Sequence, residues 1–143
     1  MFPKVTRLIP QRPPFLLVDA VVSCDDTDAV TSFVVQQDHL LVEDARLSVA
    51  GIVENMAQSC AARMGCVDWL NGVPIKIGYI GDVKDCNIVR RPSCGETLQT
   101  HVHIIEEVFN LMLAEVSVST EGQEIATARM KIAMTDIVAD LDN

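Results

Sequence analysis

One stretch of the chain is long, apolar and free of proline: residues 47–64, which read LSVAGIVENMAQSCAARM. Ser48 is a residue type that caps helix starts, and Gly65 is one that often follows helix ends, so the pattern predicts a helix over 47–64. Runs rich in valine, isoleucine and threonine predict strands on both sides of it, at 15–24, 29–36, 75–81 continuing to 86–89, 97–108, 110–120 and 124–134. Because only this helix is apolar enough to be central, the expected architecture is α+β, a long central helix wrapped by a curved antiparallel β-sheet.

Length, charge and cysteine usage narrow the class of protein. The 143 residues suit a single domain spanning 1–143, and the net charge of −9 argues against nucleic acid as a partner. We find no run of about 18 apolar residues for a membrane span and no secretory signal pattern. The five cysteines are odd in number and form no CxxC pair, which favours reduced thiols in a cytoplasmic protein.

Glu54 is the ionisable residue whose position in the predicted helix needs an explanation. At 100° per residue it borders an apolar arc expected to face the sheet, made of Val49, Ala50, Val53, Ala57, Cys60, Ala61 and Met64. Gln58 follows one turn later on the same side. A carboxyl group kept partly out of water suits proton transfer, and Gln58 is placed to orient it by a hydrogen bond. The structural alternative is a glutamate that reaches solvent from the border of the core.

Several motifs together resemble the β-hydroxyacyl-acyl-carrier-protein dehydratases of fatty-acid synthesis. The matching pieces are Pro10, Arg12, PFLLVD (14–19), Glu54 and the alanine–glutamine pair at 57–58. The resemblance implies the hotdog fold, which agrees with the order of elements above.

The resemblance extends through the second half of the chain. RRPSCGETL (90–98) is similar to the family's arginine-proline and proline-glycine-aspartate element, and GQEIATARMKIAM (122–134) is similar to its last strand. The prolines before the first strand and the small residues near Glu54 further resemble the dehydratase-like proteins of aryl polyene and flexirubin pathways.

The resemblance implies elimination of water from a 3-hydroxyacyl thioester to give a trans-2-enoyl thioester. The substrate would arrive on the phosphopantetheine arm of an acyl carrier protein or on coenzyme A, with no cofactor bound to the enzyme itself. Glu54 inherits the acid role. The family's glycine-histidine-phenylalanine-proline element is missing, and His39 lies one position from where its histidine is expected. The helix-start proline-glycine is replaced by Ser48 and Val49, which leaves the oxyanion donor unassigned.

Other residues are predicted to bind the substrate or its carrier. Gln58, Gly51 and Ala50 are the predicted substrate-binding residues, Gln58 because it would orient Glu54 and the other two because small side chains leave room for an acyl chain. Arg90, Arg91 and Lys84 are predicted to dock the acidic carrier protein, with a solvated strand end as the alternative. We expect a homodimer, or a heterodimer with a related hotdog subunit, because an open sheet leaves edges to be paired.

Two other functional interpretations remain open from the sequence. In place of an active dehydratase, the chain could be a non-catalytic subunit whose histidine comes from another hotdog chain, or an acyl thioesterase in which the helix carboxylate activates water. His101 and His103 share a strand face, but two histidines without an obvious third ligand favour no metal site.

Overall fold

The computed structural model describes residues 1–141 and contains one long helix and two sheets. A 3₁₀ turn covers Val5–Arg7, and the helix α1 covers Val49–Leu70. The strands are β1 (Ala20–Cys24), β2 (Asp28–Val34), β3 (Val42–Glu43), β4 (Arg46–Leu47), β5 (Lys76–Ile88), β6 (Thr97–Val108), β7 (Leu111–Thr120) and β8 (Gln123–Val138). No helix among these residues combines the length and the apolarity that crossing a membrane requires.

Six strands form one antiparallel sheet in the order β1-β2-β6-β7-β8-β5, and β3 with β4 forms a separate small hairpin. The strand predicted at 110–120 is confirmed as β7, and its alternate residues Ala114, Val116 and Val118 are buried against the core. The two runs predicted at 75–81 and 86–89 are one strand, β5, which pairs with β8 through three irregularities in register. β5 lies at the end of the sheet, so one of its edges has no neighbouring strand within residues 1–141.

The helix has the predicted N-cap, but it begins two residues later than predicted and ends six residues later. The Ser48 hydroxyl accepts a hydrogen bond from the backbone N–H of Gly51 at 3.1 Å, as expected of an N-cap. Gly65 lies inside the helix, so its assignment as the helix end was wrong. A Cβ at Gly65 would lie 2.1 Å from the carbonyl oxygen of Leu8, which shows that this glycine permits a close backbone approach.

The face of α1 that enters the core is not the predicted apolar arc. Ile52, Asn55, Met56 and Ser59 are completely inaccessible to solvent. Of the predicted arc only Cys60 is buried, whereas Val53, Ala57, Ala61 and Met64 are half-buried, and Val49 and Ala50 are exposed. The prediction failed because the buried polar groups on the other face find hydrogen-bond partners, which removes most of the cost of burying them. An apolar helix face is therefore left only partly covered.

The segment before β1 is extended but lies outside the sheet ladder for most of its length. The predicted strand at 15–24 is a strand only over Ala20–Cys24. Leu17 and Val18 are nonetheless fully buried, so the segment packs against the helix rather than pairing with a strand. The contacts that hold it there are side chains of α1, and they lie beside Glu54.

Candidate active site around Glu54

Glu54 lines a cavity between α1, β5 and the N-terminal segment. The volume is about 190 Å³, and the wall is built by Gln11, Glu54, Ala57, Gln58, Cys60, Ala61, Met64, Gly78, Tyr79, Ile80 and Ile132. Glu54, Ala57, Ala61 and Met64 follow each other at three- and four-residue spacing, so they form one face of the helix. This is the half-buried apolar face described above. The carboxylate is thus placed next to small and apolar side chains.

Gln58 holds both the Glu54 carboxylate and the N-terminal segment. Its Nε2 donates to Glu54 Oε2 at 2.7 Å and to the carbonyl oxygen of Phe15 at 2.8 Å. Its Oε1 accepts the backbone N–H of Leu17 at 2.7 Å. All the hydrogen-bonding groups of the amide except one oxygen lone pair are engaged, so its orientation is fixed by partners on both sides. The predicted hydrogen bond between Gln58 and Glu54 is present in the structure.

A second buried amide, that of Asn55, lies directly after Glu54 in the helix and holds the same N-terminal segment. Asn55 Nδ2 donates to the carbonyl oxygen of Leu17 at 2.7 Å, and its Oδ1 accepts from the Thr100 hydroxyl at 2.6 Å. The Ser59 hydroxyl donates to the Asn55 carbonyl oxygen and contacts the Thr31 hydroxyl at 2.8 Å. This network ties the helix to β2, β6 and the segment before β1, and it fixes the backbone that carries Glu54.

Gln11 brings an unused polar atom to the cavity. Its Oε1 is buried and has no hydrogen-bond partner within residues 1–141, although the residue lines the Glu54 cavity. Buried polar atoms are satisfied in the great majority of cases, so an unpartnered amide oxygen beside a carboxylate is a free acceptor for a bound molecule. The sequence places Gln11 in the arginine-proline-rich motif but gives no sign of this role.

His39 lies away from this cavity, and both of its ring nitrogens are engaged. Nδ1 accepts the backbone N–H of Leu41 at 3.0 Å, and Nε2 lies 3.0 Å from the carbonyl oxygen of Leu16. Both ring nitrogens therefore have partners within the chain, one in the N-terminal segment and one in the loop after β2. The ring also packs edge-on against Phe33, with centroids 5.7 Å apart. In the single chain His39 therefore holds the N-terminal segment and does not line the Glu54 cavity, and its use as a base stays a prediction.

Gly51 and Ala50 do not form part of the cavity wall. A Cβ at Gly51 would lie 2.5 Å from Leu47 Cδ1 and 3.2 Å from Leu41 Cβ. The space beside this glycine is therefore filled by neighbouring side chains. Its N–H is taken by Ser48. Ala50 is exposed in the first helical turn. The small residues that do line the Glu54 cavity are Ala57 and Ala61.

The predicted docking residues are not a free basic patch. Arg90 pairs with Glu96 through both terminal nitrogens, at 2.8 and 3.0 Å. Arg91 donates to the carbonyl oxygens of Leu47, Glu43 and Arg46 and so anchors the β3–β4 hairpin.

The third of these residues, Lys84, is the most solvent-accessible. Its side chain is 71% exposed, and its amine lies 3.6 Å from Asp82. Carrier docking at these positions stays a prediction, and the structure assigns the two arginines a role inside the chain.

His101 and His103 lie on the face of the sheet opposite α1. Both rings hydrogen-bond the same Asp28 oxygen, at 2.7 and 3.0 Å. A hydrogen bond from the Thr27 hydroxyl, and then those from the two imidazoles, lower the pKa of Asp28 to about 2. Across residues 1–141, no group of three or more His, Cys, Asp or Glu side chains could hold a metal ion.

The fold and this site define a hotdog-fold protein of the hydroxyacyl-carrier-protein dehydratase type. A helix glutamate beside a cavity in such a fold is the arrangement that the resemblance predicts. The chain belongs to the ApeP-like family, because the family model described as ApeP dehydratase matches residues 3–142.

A curated relative supports this assignment, and solved structures share the fold. The chain is 26% identical over 140 residues to the 3-hydroxyacyl-[acyl-carrier-protein] dehydratase FabZ of Listeria welshimeri, covering 94% of this chain and 95% of the relative. Its fold is similar to a chain of the dehydratase heterocomplex ApeI:P from Xenorhabdus doucetiae, with a TM-score of 0.86, 18% identity, and 95% and 93% of the two chains covered. A hypothetical thioesterase with coenzyme A from Streptococcus pneumoniae shares the fold at a TM-score of 0.68 and 10% identity, covering 85% of this chain and 88% of that one.

Proposed function

We propose that this chain supplies the acid for dehydration of a 3-hydroxyacyl thioester, and that a histidine of a partner hotdog subunit supplies the base. The observation that carries the proposal is the composition of the cavity. It contains a carboxyl group held by Gln58, but none of the three histidines of the chain lines it. The sequence similarity to a FabZ dehydratase supports the reaction type.

The proposed reaction moves two protons and breaks one C–O bond. The partner's base takes the proton from the carbon next to the thioester carbonyl, and the C–O bond to the 3-hydroxyl group breaks. Glu54 gives its proton to the departing hydroxyl group, so that water leaves and a trans-2-enoyl thioester remains. Solvent then returns the proton from the base to the Glu54 carboxylate. General acid assistance of this kind contributes about 10²–10⁴-fold to a rate.

Gln11 and Gln58 would position the reacting groups. Gln58 donates to Glu54 Oε2, which leaves the other carboxyl oxygen to carry the proton. The unpartnered Gln11 Oε1 would accept a hydrogen bond from the substrate hydroxyl group or from the water that forms. Both amides would act through orientation, since neither takes up a proton near neutral pH.

The open edge of β5 is where a partner subunit would add. Gly78, Tyr79 and Ile80 of this strand line the Glu54 cavity, so a strand paired to its free edge brings the partner close to the carboxylate. Tyr79 and Ile80 are exposed in the single chain, and pairing would cover them. The name of a structural relative, a dehydratase heterocomplex, supports a related but different subunit as the partner. A homodimer would bring a second copy of the same three histidines, of which His39 has partners at both ring nitrogens and the other two hydrogen-bond Asp28, so a subunit with a further histidine is favoured.

The test is a product assay on the intact chain with a 3-hydroxyacyl thioester of acyl carrier protein. The chain is assayed alone and together with a hotdog dehydratase subunit that carries the histidine motif. We expect enoyl thioester only in the mixture, detected by mass spectrometry. Enoyl product from the chain alone would overturn the need for a partner. Free thiol without enoyl product would show a thioesterase and overturn the proposed reaction.

A further inference from the structure

Met64 stands at the end of the helix face that begins with Glu54. Ten residues separate the two positions, which corresponds to about 15 Å along the helix axis. Between them the face carries Ala57 and Ala61, whose small side chains leave an open strip along the cavity wall. Met64 is the first long side chain on this strip after the carboxylate.

The thioether of Met64 lies over a glycine of β5. A Cβ at Gly78 would lie 2.8 Å from Met64 Cε and 3.1 Å from its Sδ, closer than normal packing allows. The position of the methionine side chain therefore depends on the absence of a side chain at Gly78. Methionine is flexible and has three rotatable bonds beyond its backbone, so it can move without displacing the helix.

A second cavity begins on the other side of Met64. Its volume is about 150 Å³, and Met64 lines it together with Arg63, Val67, Asp68, Lys76, Glu107, Met112, Met134 and Thr135. Met64 thus forms part of the wall of both cavities. A path from the space beside Glu54 to the second cavity would require this side chain to turn away from Gly78.

We infer that Met64 sets the length of the acyl chain that this site accepts. The inference rests on the proposed function, because it assumes that the thioester end of the substrate lies at Glu54. A short chain fits the strip from Ala57 to Ala61 with Met64 in place. A longer chain must displace the thioether and enter the second cavity, where Met112 and Met134 offer apolar contact beside charged side chains such as Glu107. Met64 is a specificity-determining residue in this account and not a catalytic one.

Two substitutions are expected to shift chain length in opposite directions. Met64→Ala removes the barrier, so each additional methylene that enters the second cavity should improve relative kcat/KM about fourfold. Gly78→Ala places a methyl group where Met64 now lies, which pushes the thioether into the cavity and should favour shorter chains. Met130→Ala is the matched control, because Met130 is a fully buried methionine of β8 that lines neither cavity.

The experiment measures relative kcat/KM for 3-hydroxyacyl thioesters with 4 to 12 carbons, offered as competing substrates to the reconstituted mixture. It also measures the affinity of the chain for amide analogues of the same acyl pantetheines. The optimum should move to longer chains in Met64→Ala, move to shorter chains in Gly78→Ala and stay in Met130→Ala. An unchanged optimum in Met64→Ala, with dehydration intact, overturns this inference and leaves the proposed function standing. Absence of both dehydration and binding of any acyl analogue overturns the proposed function, and this inference with it. If the chain-length dependence of binding differs between Met64→Ala and the unsubstituted chain but no dehydration occurs, the inference is supported and the proposed reaction is overturned.

Discussion

Gln58→Met tests whether one amide holds the N-terminal segment against the helix. Methionine has nearly the same length and volume but can make none of the hydrogen bonds of the amide. The substitution therefore removes the bonds to Leu17, Phe15 and Glu54 while keeping the packing of a side chain that is 1% exposed.

The expected loss of stability can be worked out bond by bond. The two bonds to backbone groups contribute about 1 kcal/mol each, and the buried N–H of Leu17 left without an acceptor costs about 1–3 kcal/mol more. The bond to Glu54 adds little, because that carboxylate is only half-buried. Gln58→Met should lower the free energy of unfolding by about 3–5 kcal/mol, which corresponds to a fall in Tm of about 6–20 °C.

Urea unfolding followed by circular dichroism measures the change, with Gln99→Met as the control. Gln99 is an exposed residue of β6, so its substitution should alter the free energy of unfolding by no more than about 0.5 kcal/mol. A loss below about 1 kcal/mol in Gln58→Met would refute the reasoning, since the segment would then be held without the amide.

Three further predictions concern packing, pH and thiol reactivity. Gly65→Ala should lower the free energy of unfolding by at least about 2 kcal/mol in urea titrations, because the added methyl group would collide with the Leu8 backbone. Gly81→Ala is the control and should have little effect, since its Cβ would meet only one atom, at 3.8 Å. Equal losses in the two variants would contradict the close approach of the backbones at Gly65. Glu96, whose pKa is lowered to about 2 chiefly by its hydrogen bond to an arginine, stabilises the fold above the ordinary carboxyl pKa and loses that effect as the pH falls towards 2. Glu96→Gln should therefore cost about 2 kcal/mol at pH 7 and almost nothing near pH 2, and a pH-independent loss would disprove the linkage. Burial raises the pKa of Cys60 to about 12, so iodoacetamide should label the exposed Cys86 first and Cys60 only on unfolding. Peptide mass spectrometry measures the order of labelling, and early labelling of Cys60 would refute its burial.

The sequence predicts the elements better than the side of the helix that enters the core. Local signals were sufficient for the cap at Ser48 and for β6 at 97–108, because caps and alternation depend on neighbouring residues. The helix face was wrong because it depends on partners distant in sequence. Asn55 and Gln58 are buried only because Leu17, Phe15 and Thr100 satisfy their amides.

Arg63 shows the same limit for a charged residue. It is only 5% exposed, and its guanidinium group donates to the carbonyl oxygen of Asp26 and contacts Met112 Sδ at 3.3 Å. An arginine near the middle of an apolar helix is ordinarily placed at the surface, since burial of a charge is costly. The compensating carbonyl lies in a turn 37 residues earlier, and no local pattern predicts that contact.

The candidate site was predictable in part. The pairing of Glu54 with Gln58 follows from helical spacing, and the structure contains that hydrogen bond. The engagement of His39 by Leu16 and Leu41 does not follow from the sequence, because it depends on how the loop after β2 folds back on the N-terminal segment. The unpartnered oxygen of Gln11 is equally invisible until the cavity is known.

The rate of enoyl formation in a single turnover is the most direct test of the role of Glu54. Glu54→Gln and, as control, Glu106→Gln on the exposed face of β6 are each mixed with the histidine-bearing partner and a 3-hydroxyacyl thioester. The account predicts a loss of at least about hundredfold for Glu54→Gln and an unchanged rate for the control. A Glu54→Gln rate within threefold of the unsubstituted chain, with the complex still assembled, would contradict it.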